Sequence, residues 1–321
     1  MEFGILQHWK MKSQRIQKVE LIGIYGEALY EKVNVALRYL ASQNKDFKYT
    51  AECLLPLPFE IRASSIKKDL KYVDSNLLTL RRLTSPIIII NGNEFMKSPA
   101  EFFERVFVQY QYKDRTPLVL YHRLGLIKLT KFLNATGRIY AYIDFKIDHP
   151  KHPNPYRVIF ELFNDIVPKT VKNFAELIQG THKNASGKVM TYKDTKIHRI
   201  QPNGFIQGGD IEHKDGAGGE SIYGKYFEDE NYAVPHDKPG IIGMANKGMK
   251  HTNNSQFYVT LCKVDYFNKS CVAFGTVVTG YRVIKLINSI PVENGKPLVN
   301  VTIGDCGIHV FRIPKYKKSK K

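Results

Sequence analysis

"HRIQPNGFIQGGD", residues 198–210, decides how the rest of this chain is read. It places one fixed cation, Arg199, eight residues before one amide, Gln207, with a single aromatic, Phe205, between them. A charged-substrate site would bring more charge. A plain strand would not carry Gly204, Gly208 and Gly209, since glycine weakens strands unless the backbone bends or is closely approached. The stretch therefore reads as more than a plain strand, with glycines where the backbone bends or is closely approached.

Around it, from "RIYAYIDFKI" (138–147) to "NVTIGDCGIHVF" (300–311), run many short apolar strands separated by Gly, Asn, Asp and Pro loops. Two helices interrupt them, "VPKTVKNFAELIQG" (167–180) and "YRVIKLINSI" (281–290). Many strands with few helices predict a closed barrel, which leaves no sheet edge exposed.

The texts "FELFNDIVPKTVKNF", "HRIQPNGFIQGGD", "GGESIYGKYFEDEN", "GIIGMANKG", "NNSQFYVTL" and "VAFGTVV" occur in the family's order. On them, residues 138–313 resemble a cyclophilin, the peptidyl-prolyl cis-trans isomerase family. The resemblance implies an eight-stranded antiparallel barrel capped by two helices, with a shallow groove on its side. It also implies that Arg199 and Gln207 are the catalytic pair. Phe205, Gly216, Ala245, Asn246, Gln256, Tyr258, Tyr266, Phe267 and Cys271 would surround a proline-containing protein segment.

The chemistry accounts for one cation and one amide. An X-Pro bond isomerises over a barrier of about 18–20 kcal/mol because amide resonance must be broken. Neither a net proton nor a covalent intermediate is required. A donor aimed at the prolyl nitrogen keeps its lone pair out of conjugation, and a permanently charged guanidinium suits that task. No cofactor or metal is expected.

Several positions depart from the family's usual residues. Gly204 and Phe205 stand where active members commonly have Phe and Met, so the proline floor loses an aromatic unless Phe205 swings in. Cys271 replaces a histidine at the pocket border, Tyr266 a rim tryptophan or histidine, Tyr258 a phenylalanine, and Lys247 a small residue. Losing one packed ring from a small apolar site can weaken binding by about 1–3 kcal/mol, and several changes together could take most of the activity.

The first half reads as β-α-β-α-β-β-α: strands at 19–24 and 47–55, helices at 28–43 and around 63–81, the hairpin "TSPIIIINGNEF" (84–95), and a helix at 98–111. Residues 18–112 resemble the thioredoxin/glutaredoxin fold, with Ser85-Pro86 in the place of its cis-proline. The dithiol is missing, since "YGEALYEK" after the first strand has no cysteine, so thiol exchange is not expected. A generic α/β domain is the alternative. Residues 1–17 form an extension, 113–137 a helical connector, and 314–321 a basic tail.

Net charge is +18, the hydrophobic share is 43%, and the four cysteines show no CxxC spacing. No apolar run nears the roughly 20 residues of a membrane span. A cytoplasmic location is expected, without membrane attachment. The tail "FRIPKYKKSKK" reads either as a site for an acidic protein surface or as a solvated end. No zinc-ligand spacing or RNA-binding signature supports nucleic acid. "DGAGGESIYG" lacks the Lys-Ser/Thr of a P-loop, and the two histidines of "DHPKHPNP" sit on a Pro-broken loop.

A front domain without a CxxC dithiol followed by a cyclophilin resembles the two-domain isomerase-like proteins of cilia and radial spokes. That resemblance implies an axonemal, adaptor-like subunit of a larger assembly with weak isomerase activity. The alternative is a fully active isomerase assisting folding or assembly.

Overall fold

The computed structural model describes residues 14–70 and 85–313. Residues 71–81 of the expected second helix, most of the N-terminal extension and the basic tail at 314–321 lie outside the described residues. The chain divides into two compact units. One runs to Ala135 and takes in residues from Phe311 onward; the other spans Thr136–Val310.

The first unit is built on β1 (Lys18–Ile24), parallel to β2 (Lys48–Leu54) on one side and antiparallel to β3 (Ile87–Ile90) on the other. β4 (Glu94–Phe95) follows β3 across the Asn91-Gly92 turn and completes the order β2-β1-β3-β4. Successive β3 side chains face opposite sides, and both sides are covered, which is why the strand reads as an unbroken isoleucine run. Ile88 and Ile90 pack with Val33 and Leu37 of α1 (Ala28–Gln43). Ile87 and Ile89 pack with Phe59, Ala63 and Ile66 of α2 (Pro56–Leu70).

The helix expected around 63–81 thus starts earlier, at Pro56. Proline is tolerated in a first turn, where its missing N–H has no intrahelical partner to lose, and the 59-63-66 spacing lays one apolar stripe on the sheet. α3 (Pro99–Tyr110) opens with Ser98, whose Oγ accepts from the Glu101 N–H at 3.2 Å. The Ser85-Pro86 bond is cis.

The helix expected in the connector, α4 (Leu118–Asn134), packs along α1 and belongs to the first unit. Gly125 permits the approach: a methyl there would lie 2.9 Å from the Gly26 carbonyl carbon. Lys128 of α4 reaches the fully buried Glu31 of α1, so this carboxylate has a cation beside it.

The second unit begins with β5 (Ile139–Ile147), β6 (Tyr156–Leu162) and α5 (Pro168–Gln179), which ends on left-handed Gly180. A ribbon of β7 (His182–Lys183) and β8 (Val189–Met190) leads to β9 (Ile197–Gln201), β10 (Phe205–Gly208), β11 (Ile241–Met244), β12 (Phe257–Thr260) and β13 (Ala273–Thr279). After α6 (Tyr281–Asn288), the hairpin of β14 (Val292–Glu293) and β15 (Lys296–Pro297) precedes β16 (Val301–Ile308).

Eight strands pair antiparallel in the order β16-β5-β6-β13-β11-β12-β10-β9. The Lys196–Thr302 bridge, with Ile303 N–H donating to Thr195 O at 2.9 Å, brings the two ends of the sheet together. Phe174 of α5 packs into the barrel against Tyr192, Phe257 and Phe274, with ring centroids 4.9–5.6 Å away. No helix among the described residues is long and apolar enough to cross a membrane.

An alanine normally stabilises a helix interior by about 1 kcal/mol over glycine. At Gly125 the sign should reverse, because the added methyl meets the Gly26 backbone rather than a movable side chain. We expect Gly125→Ala to lower the stability of the first unit by about 1–2 kcal/mol, seen as a lower urea midpoint.

Candidate functional site

The eight-residue spacing of Arg199 and Gln207 is the span of a hairpin. β9 and β10 turn through Pro202-Asn203-Gly204, with Asn203 at φ 57°, and their register sets Arg199 directly opposite Gln207. The same row continues across the sheet, Gln207 opposite Tyr258 on β12 and Tyr258 opposite Gly243 on β11. Directly opposed residues in a pleated sheet project on one side. Gly243 carries no side chain, and any methyl there would collide with the Tyr258 phenol.

On that side lies a groove of about 230 Å³, lined by Arg199, Gln201, Phe205, Gln207, Ala245, Asn246, Tyr258, Tyr266, Phe267 and Cys271. Nine of these were anticipated in the sequence. Gln201 was not, although its place two residues from Arg199 on one strand puts both side chains on one face. Gly216 and Gln256, also anticipated as substrate contacts, are not among these lining residues. Gln256 Nε2 donates to the Gly216 and Gly218 carbonyls at 2.9 and 2.7 Å, and its Oε1 accepts from Gln207 Nε2 at 2.9 Å.

The floor is aromatic despite Gly204. Phe205 is only 6% exposed and packs against Phe267 and Tyr258, with centroids 5.4 and 6.0 Å away. Tyr258 and Phe267 are 4.7 Å apart, and the exposed Tyr266 extends the cluster to the rim. Gly204 does not occupy the left-handed region, and a methyl there would meet chiefly the flexible Gln201 side chain, with Cγ at 2.9 Å. The Arg199 guanidinium carbon lies 5.4 Å from the Phe205 centroid, within cation–π range. Among the described residues no carboxylate pairs with Arg199, so its donors face the groove uncommitted.

Beneath the floor, the Tyr258 hydroxyl lies 2.6 Å from Nε2 of the fully buried His236. Asn268 Oδ1 takes the His236 backbone N–H at 2.9 Å and faces Nδ1 at 3.0 Å. An amide oxygen can only accept, so Nδ1 carries the proton and Nε2 accepts from Tyr258. Sequence reading missed His236; its one signal was that a buried tyrosine hydroxyl in a usual phenylalanine position needs a partner. At the wall, Asn246 Nδ2 donates to Ser270 O at 2.6 Å and lies 3.8 Å from Cys271 Sγ. Burial raises the Cys271 thiol above its ordinary value, so at neutral pH it is a protonated wall group rather than a nucleophile.

Comparison with known proteins assigns this architecture. The family "Cyclophilin type peptidyl-prolyl cis-trans isomerase/CLD" matches residues 143–308. The chain belongs to the cyclophilin family. Proteins named "Probable inactive peptidyl-prolyl cis-trans isomerase-like 6" are similar to it. The one from Homo sapiens is 35% identical over 299 residues, covering 92% of each chain. The one from Mus musculus is 46% identical over 197 residues, covering 61% of each chain. The NK-tumor recognition protein of Homo sapiens is 43% identical over 170 residues, 51% of this chain and 12% of that protein.

Burial holds His236 below the ordinary histidine value, against the opposing pull of Asn268 and Asp237. His198 and His309 of the same unit are also lowered, chiefly by burial. Unfolded histidine titrates near 6.5, so on acidification the unfolded chain binds these protons first. Their stabilising contribution is complete above that value and is lost as pH falls below it. We expect the melting temperature of this cyclophilin unit to drop between pH 7.5 and 5.5. Replacing His236 with Gln should flatten that slope.

Proposed function

We propose that the chain grips a proline-containing protein segment in this groove and serves as an adaptor subunit of a larger assembly, with weak isomerase turnover. The observation that carries the reading is Arg199, uncommitted over Phe205 and directly opposite Gln207. On this reading the prolyl ring rests on the Phe205, Tyr258 and Phe267 rings while the guanidinium faces the prolyl nitrogen. A hydrogen bond there favours the twisted amide over either planar form. Asn246 and Gln207 hold the flanking backbone.

Weak turnover is supported by the altered walls. Cys271 offers no imidazole at the border, Gly204 adds no ring, and Tyr258 is tied down to His236. The human and mouse relatives carry "probable inactive" in their names. The human relative aligns across both units. The resemblance to two-domain isomerase-like proteins of cilia supports placing the assembly in an axoneme of the radial-spoke type. A redox role for the first unit has no support. Its Cys53, half-buried beside Tyr30, is pushed up to about 12 by burial.

The second reading, a working isomerase, is favoured by the same Arg199 and by the intact Gln207–Gln256 hydrogen bond. A protease-coupled isomerisation assay on the full chain, run beside calorimetric binding of a proline peptide, separates the two. We expect binding, with kcat/KM about 10- to 100-fold below that of a fully active cyclophilin, as a loss of about 1–3 kcal/mol would give. Arg199→Ala should remove the remaining turnover. Gly204→Phe should raise it, because Gln201 can move aside. Turnover equal to that of an active family member would establish the second reading instead.

A further inference from the structure

Asp210 closes the opening motif and is fully buried, yet no cation pairs with it among the described residues. A buried carboxylate without a counter-ion is costly unless hydrogen bonds replace its hydration. Five backbone N–H groups do so. Oδ1 accepts from Glu212 at 3.0 Å and His213 at 3.1 Å. Oδ2 accepts from Asp215 at 3.3 Å, Gly216 at 2.9 Å and Gly218 at 3.1 Å. The loop is wrapped tightly round this anion. Gly216 sits at φ 100°, where a side chain is strained, and a methyl on Gly218 would come within 2.8 Å of Asp210 Oδ1.

Turning those N–H groups toward Asp210 leaves the Gly216 and Gly218 carbonyls for Gln256. Both accept from its one amide nitrogen, whose two hydrogens are thereby used. The amide cannot flip, because Oε1 would then face two carbonyl oxygens. Oε1 is therefore held toward Gln207 and takes a hydrogen from its Nε2. This in turn decides which way round the Gln207 amide stands in the groove.

We propose that Asp210 is a positioning residue. Its carboxylate, acting through the Gly216 and Gly218 carbonyls and Gln256, holds the Gln207 amide so that Oε1 stays free as an acceptor beside the all-donor Arg199. The proposal rests on the reading that the groove binds a proline peptide. A donor and an acceptor fixed side by side suit the carbonyl and N–H groups of a peptide backbone flanking the proline.

The test uses the full chain, an Ala-Ala-Pro-Phe peptide as probe, and NMR of the Gln207 and Gln256 side-chain amides. Asp210→Asn keeps the shape but, whichever way its amide turns, sets a donor against two or three of the five N–H groups. We expect it to shift both side-chain amide signals and to weaken peptide binding about fivefold, the worth of one hydrogen bond. Gln256→Ala should do the same to affinity, and the double variant should lose no more than the larger single loss, as for residues acting in series. If Asp210→Asn lowers only the melting temperature, leaving the Gln207 amide signal and the affinity unchanged, the proposal is wrong. Should that variant fail to fold, Gly218→Ala, which presses on the same carboxylate, should move the same signals, and their constancy would count against the proposal. If the wild-type chain binds no peptide, the groove reading fails, while the amide signals of the free protein still decide the role of Asp210.

Discussion

The pairing of β9 with β10 is the constraint on which the site depends. With Gln201 opposite Phe205 and Gln207 opposite Arg199, four groove residues come from one short hairpin. A slip of one residue would send Arg199 and Gln207 to opposite faces, because side chains alternate along a strand. The register is held from both sides. Ile200 and Ile206 are opposite each other and fully buried on the barrel side, while β12 locks β10 through the Gln207–Tyr258 pairing. The barrel core and the groove are thus the two faces of one sheet, and what keeps the first dry keeps the second in order.

Below the groove the structure spends polar groups where an apolar layer would have served packing alone. His236 ties Tyr258 to Asn268, Gln256 ties Gln207 to a loop, and Asp210 ties that loop to itself. Each group meets a partner of the opposite hydrogen-bonding kind, the condition under which buried polar groups add specificity without a desolvation penalty left over. The result is a floor whose rings and amide are held before any ligand arrives. Pre-organisation of this sort favours binding a chosen segment. It does not by itself accelerate a rotation whose barrier lies in amide resonance.

The first unit solves a different problem with the same logic. Its sheet is covered on both faces, so Ile87–Ile90 can be continuously apolar, and Ser98 caps the helix that follows β4. α4 comes close to the Gly26 backbone because Gly125 carries no side chain there, and the Lys128–Glu31 pair offsets the charge buried between α4 and α1.

The barrel and its two helices were legible in the sequence from short apolar strands and a helix-ending glycine, and nine of the ten groove residues from the resemblance that the ordered motifs carry. The residues that were missed, or that lie outside the lining, have one physical cause in common. Gln201 lines the groove because the hairpin sets its face, Gln256 turns its amide to the Gly216 and Gly218 carbonyls of the loop folded round Asp210, and His236 reaches Tyr258 from 22 residues away. Phe205 fills the floor only because Tyr258 and Phe267 arrive from other elements to pack on it. Residue types and strand periodicity, carried by the chain itself, determined which elements form and which chemistry is available. Which polar atom faces which partner was decided by tertiary structure, since a hydrogen bond depends on distance and direction between groups that sequence separation does not encode.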